Sequence, residues 1–270
     1  MNIAKYWQRL NWGEYLAEAS GTAFMIFVGL SAVVFNMGQG LPMERLIPNS
    51  SWRLLLTGII FAGSGSLVAI SPLGKLSGGH INPSVSLAFW LQGKMHGHDF
   101  ISYVIAQFIG AIAGEFLLVS LWQDYAQSVN NGMTLPGQDY ELWYVFLAEV
   151  LITFLLVLLI LIFTSTKALM RWTPLMTWIT IALMVWLESP ISGTSLNSAR
   201  SFAPALLSNV WRSQWLYAIA PPLGAVAGVI GFRLLTFGER EILTGKLFHT
   251  PHYRCIFKNI TNPFIDIKEE

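Results

Sequence analysis

Two short stretches of similar sequence decide the fold: Ser77-Gly78-Gly79-His80-Ile81-Asn82-Pro83-Ser84 and Ser192-Gly193-Thr194-Ser195-Leu196-Asn197-Ser198-Ala199. Each leads into an apolar segment of about 11 residues, at 82–92 and 197–208. A helix of that length is about 17 Å long and reaches only about half-way across a hydrocarbon core of about 30 Å. Paired short segments of this kind predict a substrate site at the bilayer midplane.

The composition indicates a protein embedded in lipid. Of the 270 residues, 54% are hydrophobic and only 11% are charged, whereas a soluble domain carries about 25% charged residues. The net charge of +1 argues against nucleic acid as a partner. Cys255 is the single cysteine, which excludes an intramolecular disulfide. The first apolar run is long enough to span a bilayer, so we expect no separate signal peptide.

Six further segments are long or apolar enough to cross a membrane, which takes about 20 residues. They are 14–36, 54–71, 100–122, 142–163, 172–187 and 213–235, of which the fifth is short. Irregular backbone at membrane depth is tolerated only inside protein or beside a watery cavity. We therefore predict that the two short segments enter from opposite faces and meet, forming a seventh, broken span.

An internal repeat relates the two halves of the chain. Thr22 follows Glu18 by four residues at the head of the first span, and Thr153 follows Glu149 at the same offset. Each repeat has three spans, an odd number, so the second copy must be inverted. The predicted fold is all-α, with six transmembrane helices plus two re-entrant half-helices in one domain, 1–238, made of repeats 14–122 and 142–236 and followed by a tail, 239–270.

Lys and Arg residues predict the orientation. With both termini on one side, only Arg45, Arg53, Arg200 and Arg212 fall on the other side, so 12 of the 16 Lys and Arg residues lie on the terminal side. Positive charge is enriched in cytoplasmic loops. We expect a multi-pass protein of the plasma or bacterial inner membrane, with both termini and the tail in the cytoplasm.

The two asparagines suit helix starts. Asn is a strong N-cap and Pro favours the next position, as in Asn82-Pro83. If Asn197 mirrors Asn82, two positive helix ends and two amides face each other at the midplane, which suits a pore for uncharged polar molecules and repels cations and protons. The other interpretation, that each Asn only caps a buried helix, is disfavoured by the symmetric pairing.

These residues together resemble the aquaporin, or major intrinsic protein, family over about 14–236. The matching elements are Ala17-Glu18, residues 77–83, Ala148-Glu149, residues 193–197 and Ala199-Arg200-Ser201-Phe202. The resemblance implies passive transport of small neutral solutes and water through a pore in each subunit of a homotetramer, with no cofactor or metal. Ser84 and Ser198 replace the usual Ala and Pro of the family's motifs, and we expect Ser198 to loosen the contact between the half-helix tips.

The resemblance also implies a constriction. The family places an Arg at the position of Arg200, and its register puts Ala62, Val185 and Thr194 on the other walls. Small apolar residues at Ala62 and Val185 resemble those of the nodulin-like intrinsic proteins and their bacterial relatives. These proteins pass glycerol-sized solutes and metalloid hydroxides such as boric or arsenous acid. A shift of one residue in this alignment with the family would place Phe61 instead of Ala62 at the first wall position, and the pore would be narrower.

By the same resemblance, Glu18 and Glu149 accept hydrogen bonds from the re-entrant loops, and Gly78, Gly79 and His80 line the pore. We find no role for Glu115 in the sequence. In the tail, His249, His252 and Cys255 recur at three-residue spacing and could bind a soft metal ion. Because this pattern has three ligands and lacks a fourth, we expect a solvated tail and not a metal site.

Three functions compete at this point. The leading one is a channel for small uncharged solutes that excludes ions and protons. A water-selective channel and a closed-pore structural membrane protein of the same fold are the alternatives. No nucleophile, metal or phosphate-binding motif of an enzyme is evident in the sequence.

Overall fold

The computed structural model describes residues 10–259. In that range the regular structure is helical. The six long helices and two short ones are α1 (Trp12–Met37), α2 (Ser50–Ile70), α3 (Pro83–Leu91), α4 (Gly97–Trp122), α5 (Leu142–Thr164), α6 (Thr173–Ser192), α7 (Ser198–Ser208) and α8 (Gln214–Leu235). Short helices at Met43–Leu46, Pro72–Ser77 and Asp124–Gln127 and 3-10 turns at Asn130–Gly132 and Met170–Trp172 connect them.

The six long helices have the length and hydropathy of membrane spans, as predicted. The fifth prediction, 172–187, was too short, because α6 continues to Ser192. Hydropathy falls at Glu188, but this side chain is buried and its Oε2 accepts a 2.6 Å hydrogen bond from the Thr194 hydroxyl. A partnered carboxyl is tolerated in the bundle, and the helix ends only at Gly193, which is left-handed with φ of +82°.

The packing follows the inverted repeat. Helix α1 packs on α4 as α5 packs on α8, and α2 meets α6 at the boundary between the repeats. The half-helices cross over: α3 packs against α8 of the second repeat, and α7 packs against α4 of the first. Two-fold related contacts of this kind give the all-α, six-helix, two-half-helix fold that the sequence predicts.

Glycines allow the closest helix pairs to approach. A Cβ added at Gly110 in α4 would lie 2.1 Å from the carbonyl oxygen of Ala19 in α1. The related position in the second repeat is Gly224 of α8, whose added Cβ would lie 2.5 Å from the Val150 oxygen in α5. In lipid there is no hydrophobic driving force between helices, so their association depends on the close packing that small residues allow.

Both half-helices begin at the predicted asparagines. Asn82 accepts a hydrogen bond from the Ser84 backbone N–H at 2.8 Å, and Pro83 occupies the first turn. Asn197 accepts from the backbone N–H groups of Ala199 and Arg200 at 3.0 and 3.2 Å. With 9 residues in α3 and 11 in α7, neither is long enough to cross a bilayer.

The tail departs from the expectation of a solvated segment. Ile242, Leu247 and Phe257 are each no more than 7% exposed and join the hydrophobic core of the bundle. The Arg254 guanidinium donates to the side-chain oxygen of Asn11 at 2.7 Å, so the tail lies on the side of the bundle where α1 begins. We call this the tail side. Residues 1–9 and 260–270 of the predicted domain and tail lie outside the described range.

Candidate functional site

The tips of the two half-helices are joined by reciprocal hydrogen bonds. The Asn82 amide nitrogen donates to the carbonyl oxygen of Leu196, and the Asn197 amide nitrogen donates to that of Ile81, both at 2.9 Å. Ile81 and Leu196 have positive φ values of 43° and 56°. Such backbone is unfavourable for branched residues, and here it belongs to the turns whose carbonyls the asparagines bind.

This contact corrects the expectation for Ser198. The cross-tip hydrogen bonds are equally short on the two sides, although only the first half-helix has a proline after its asparagine. The reason is that the contact uses asparagine amides and loop carbonyls, and none of these atoms belongs to residue 198. The Ser198 hydroxyl is buried and lacks a hydrogen-bond partner among the described residues.

Glu18 holds the loop that leads into α3. Its Oε1 accepts from the Ser77 hydroxyl at 2.6 Å and from the His80 backbone N–H at 3.0 Å. Its Oε2 accepts from the Ile81 backbone N–H at 2.6 Å and from the Gln107 amide at 2.8 Å. The carboxylate is completely buried, and hydrogen bonds to a charged acceptor are stronger than neutral ones.

Glu149 occupies the related place beside the loop that leads into α7. Its Oε1 accepts from the Ser192 hydroxyl at 2.5 Å and from the Ser195 backbone N–H at 2.6 Å. Its Oε2 accepts from the Leu196 backbone N–H at 3.2 Å. The repeat that was visible in the sequence at the two glutamates therefore extends to the loops they bind.

Three residues that the sequence does not single out also hold these loops. The Tyr103 hydroxyl donates to the Ser77 carbonyl at 2.7 Å, and the Tyr217 hydroxyl donates to the Ser192 carbonyl at 2.6 Å. Gln107, described above, is the third. A signal was present, since the two tyrosines follow Asn82 and Asn197 at nearly equal distances, but one pair of aromatics in an apolar helix carries little information.

A cavity of about 200 Å³ runs past the half-helix tips. The predicted site residues that line it are Ala62, Gly79, His80, Asn82, Val185, Thr194, Asn197 and Arg200. The predicted residues that lie off it are Gly78, Pro83, Ser84, Ser198 and Ala199. Apolar residues, among them Leu156, Ile160 and Ile181, also line it.

Arg200 lies at the end of the cavity away from the tail. Its guanidinium donates to the Gly132 carbonyl at 2.8 Å and lies over the Phe61 ring, 5.4 Å from the ring centre. Phe61 and Ala62 both line the cavity, so both candidates for the first wall position contribute to it. Burial of the arginine with one loop carbonyl and one ring leaves further donors for a solute.

Arg200 is the only Lys, Arg, Asp or Glu among the described residues that line the cavity. Glu115 interacts with it electrostatically from α4. The Glu115 side chain is fully buried, and neither carboxylate oxygen has a hydrogen-bond partner among the described residues. The Glu115 side chain thus lies buried within the electrostatic influence of the Arg200 guanidinium.

At the tail-side end of the cavity, the His80 ring meets the tail. Its Nε2 lies 2.8 Å from the Gly245 carbonyl oxygen and its Nδ1 lies 3.1 Å from the Ser86 hydroxyl. The ring stacks on Phe89, 4.8 Å between centres. In the described part of the chain, His249, His252 and Cys255 do not form a cluster of three ligands for a metal ion.

Fold and cavity together define a polytopic membrane protein built as a channel, with two half-helices meeting beside a central passage. Comparison with known proteins supports this class. The model of the major intrinsic protein family matches residues 5–232, and the chain belongs to that family. It is therefore a channel and not an enzyme.

The chain is similar to several named aquaporins. It is 31% identical to aquaporin NIP1-1 of Zea mays over 232 residues, which cover 85% of this chain and 77% of the relative. It is 33% identical to aquaporin AqpM of Methanothermobacter marburgensis over 243 residues, covering 82% and 96%. The X-ray structure of the aquaglyceroporin from Plasmodium falciparum has a TM-score of 0.68 at 19% identity, covering 82% and 94%, and supports the fold.

Proposed function

We propose that the protein is a passive channel for small uncharged polar solutes, namely glycerol, metalloid hydroxides such as boric or arsenous acid, and water, and that it excludes ions and protons. The observation that carries this proposal is the mixed lining of the cavity. Asparagine amides and the Arg200 guanidinium line it together with apolar side chains. A hydroxylated solute can exchange hydrogen bonds with the polar groups while its less polar parts contact the apolar ones.

The electrostatics favour neutral solutes. Two half-helix N-termini meet at the tips, and each carries about half a positive charge. Arg200 adds a full positive charge, and no carboxylate lines the cavity within the described range. A cation or hydronium ion would lose its hydration and face the positive helix ends and the Arg200 guanidinium, so we expect it to be excluded.

The constriction at Ala62, Val185, Thr194 and Arg200 is proposed as the selectivity filter. Ala62 and Val185 are small, which leaves width for solutes larger than water. A water-selective channel is the second candidate, favoured by the Phe61 ring beside the Arg200 guanidinium, because an aromatic ring at this point reduces the width.

Glu18 and Glu149 are proposed to buttress the pore loops, since each accepts hydrogen bonds from two backbone N–H groups of its loop. We also propose a homotetramer in the plasma or bacterial inner membrane with the tail side in the cytoplasm. The excess of Lys and Arg on the terminal side supports that orientation.

The test is permeability of proteoliposomes. Stopped-flow light scattering would follow water, glycerol, boric acid and arsenous acid entry, and a pH-sensitive dye would follow proton leak. We expect solute entry well above that of protein-free vesicles, with unchanged proton leak. Water flow without solute flow would favour the water-selective candidate. Negligible flux of every solute through a correctly folded protein would favour the closed-pore structural alternative.

A further inference from the structure

The tail is hydrogen-bonded to three separate segments on the tail side of the bundle. The Leu243 backbone N–H donates to the Thr164 carbonyl at the end of α5, at 2.9 Å. The Leu247 backbone N–H donates to the Gly78 carbonyl in the pore loop, also at 2.9 Å. The Lys258 backbone N–H donates to the carbonyl of Lys94, just after α3, at 2.8 Å. The segment therefore bridges elements from both repeats.

Leu247 lines the cavity, and Gly245 contacts His80, which also lines it. The Leu247 side chain lines the same cavity as Asn82, Asn197 and Arg200. The neighbouring Gly245 carbonyl lies 2.8 Å from the His80 Nε2. A residue of the tail thus lines the same cavity as the half-helix tips.

Lys246 anchors this part of the tail from the inside. Its side chain is fully buried, and its ammonium donates to the carbonyl oxygens of Lys75 at 2.5 Å and of Arg254 at 2.7 Å. Burial lowers the pKa of Lys246 below its usual range. Burying a lysine is costly unless it is well hydrogen-bonded, so this side chain fixes one docked position of the tail.

Aromatic and ionic contacts hold the rest of the segment. The Phe257 ring lies 5.4 Å from the His80 ring and 6.4 Å from the Tyr103 ring, between centres. The Arg254 guanidinium pairs with the buried Glu14 carboxylate of α1, with 3.6 Å between Nε and Oε1. The docked tail is therefore packed on residues that also position the pore loop.

We propose that residues 239–259 form an autoinhibitory cap on the pore, with Leu247 as the residue that obstructs solute passage. In the docked position Leu247 restricts flux, and the channel conducts fully when the cap withdraws from His80 and Gly78. This inference rests on the proposed function as a solute channel. It differs from the constriction at Arg200, because it lies at the other end of the cavity and belongs to neither repeat.

The chain carries its own reporter of cap docking. Cys255 is the only cysteine and is partly buried between the Lys246 and Phe257 contacts. Burial raises the pKa of the Cys255 thiol, and a protonated, shielded thiol reacts slowly with maleimides. The rate of Cys255 modification in the folded protein therefore measures how often the cap is undocked, independently of any transport.

The experiment compares the unmodified chain with two variants in proteoliposomes. Leu247→Ala shortens the obstructing side chain, and Lys246→Met removes the anchor. We expect each to raise glycerol and water flux per protein several-fold, and Lys246→Met to speed Cys255 modification several-fold. Loss of the lysine charge alone would slow thiolate formation, so faster modification reports exposure. His252→Ala, at an exposed tail position, is the control and should change neither quantity.

The outcomes separate this inference from the proposed function. If the wild type conducts but Leu247→Ala and Lys246→Met leave its flux unchanged, the cap is a passive wall and the inference is wrong. If Lys246→Met speeds Cys255 modification while neither variant ever exceeds protein-free vesicles, the proposed solute channel itself is wrong. If Lys246→Met does not fold, Leu247→Ala alone decides, because it leaves the anchor intact.

Discussion

Asn82 and Asn197 each hydrogen-bond to the carbonyl of the residue that precedes the other asparagine, and both distances are 2.9 Å. Each asparagine thus uses its oxygen to cap its own half-helix and one amide proton to hold the opposite loop. The two short helices, which could not span the membrane separately, are joined at their tips and together form one broken span.

The cross-tip contact predicts the effect of Asn197→Ala. Loss of the cap costs about 1 kcal/mol, and loss of the bond to the Ile81 carbonyl costs about another 1 kcal/mol. Asn49→Ala is the matched control, because Asn49 caps α2 through the Ser51 backbone N–H at 2.8 Å without a second role. The free energy of unfolding, measured in detergent, should fall about twice as much for Asn197→Ala as for Asn49→Ala. Equal losses would mean that the cross-tip hydrogen bond contributes nothing.

The proposed filter predicts the effect of Ala62→Trp. An indole on the cavity wall should abolish glycerol, boric acid and arsenous acid entry while water passage is retained, because water is the smallest of these solutes. Leu67→Trp is the control, since Leu67 lies on the same helix and is 55% exposed at the bundle surface. Stopped-flow measurement of each solute checks the result. Equal loss of water and solutes would place the constriction elsewhere.

Phe61 allows the two filter interpretations to be separated. Phe61→Ala removes the ring beside the Arg200 guanidinium. If this ring limits width, glycerol entry should rise several-fold in proteoliposomes relative to the wild type. If Ala62 alone sets the wall, glycerol entry should stay within about two-fold. The ratio of glycerol to water flux, measured on the same vesicles, corrects for differences in protein content.

The loop carboxylates predict a loss of stability in Glu18→Gln. Glutamine replaces one carboxylate oxygen by an NH2 group, which would face the N–H or hydroxyl donors that bind this oxygen in the wild type. Each charge-assisted hydrogen bond lost is worth about 1.5–3 kcal/mol. We expect lower yield of folded protein and a clearly lower melting temperature. Glu44→Gln, at an exposed position of the connecting helix, should melt like the wild type. A normal melting temperature for Glu18→Gln would show that the loop is held instead by the hydrogen bond from the Tyr103 hydroxyl to the Ser77 carbonyl.

Close helix packing predicts the effect of Gly110→Ala. Its Cβ would lie 2.1 Å from the Ala19 carbonyl oxygen, so α1 and α4 must separate, at a cost of about 1–3 kcal/mol for overpacking. Gly97→Ala begins the same helix, and its added Cβ has its nearest neighbour, the Trp90 ring nitrogen, at 3.8 Å. The melting temperature should fall for Gly110→Ala and should not change for Gly97→Ala.

Much of the fold follows from local chemistry that the sequence displays. Asn82-Pro83 is a helix start whatever surrounds it, because the cap and the proline act within one turn. Segment lengths against the thickness of a bilayer separate spans from half-spans. Glu18 and Glu149 reveal the repeat, since a carboxylate in an apolar helix requires a partner. These features each depend on a few neighbouring residues or on a single length.

Other features are decided by contacts between distant parts of the chain. Whether Phe61 or Ala62 faces the pore depends on the rotation of α2 against α1 and α6, which a hydropathy pattern does not resolve. The role of Glu115 depends on Arg200, which is far away in sequence. The end of α6 depends on the hydrogen bond from Thr194 that makes Glu188 tolerable inside the bundle.

The amino-acid sequence by itself determined the six spans, the two half-helices and their inverted pairing, because hydrophobic length and helix capping are local properties. Only the tertiary structure decided the tail. Lys246 is polar in sequence and suggests solvent, yet it is buried because the Lys75 and Arg254 carbonyls converge on its ammonium. The free energy of burying such a group is set by the partners that folding brings to it, and those partners lie on separate parts of the chain.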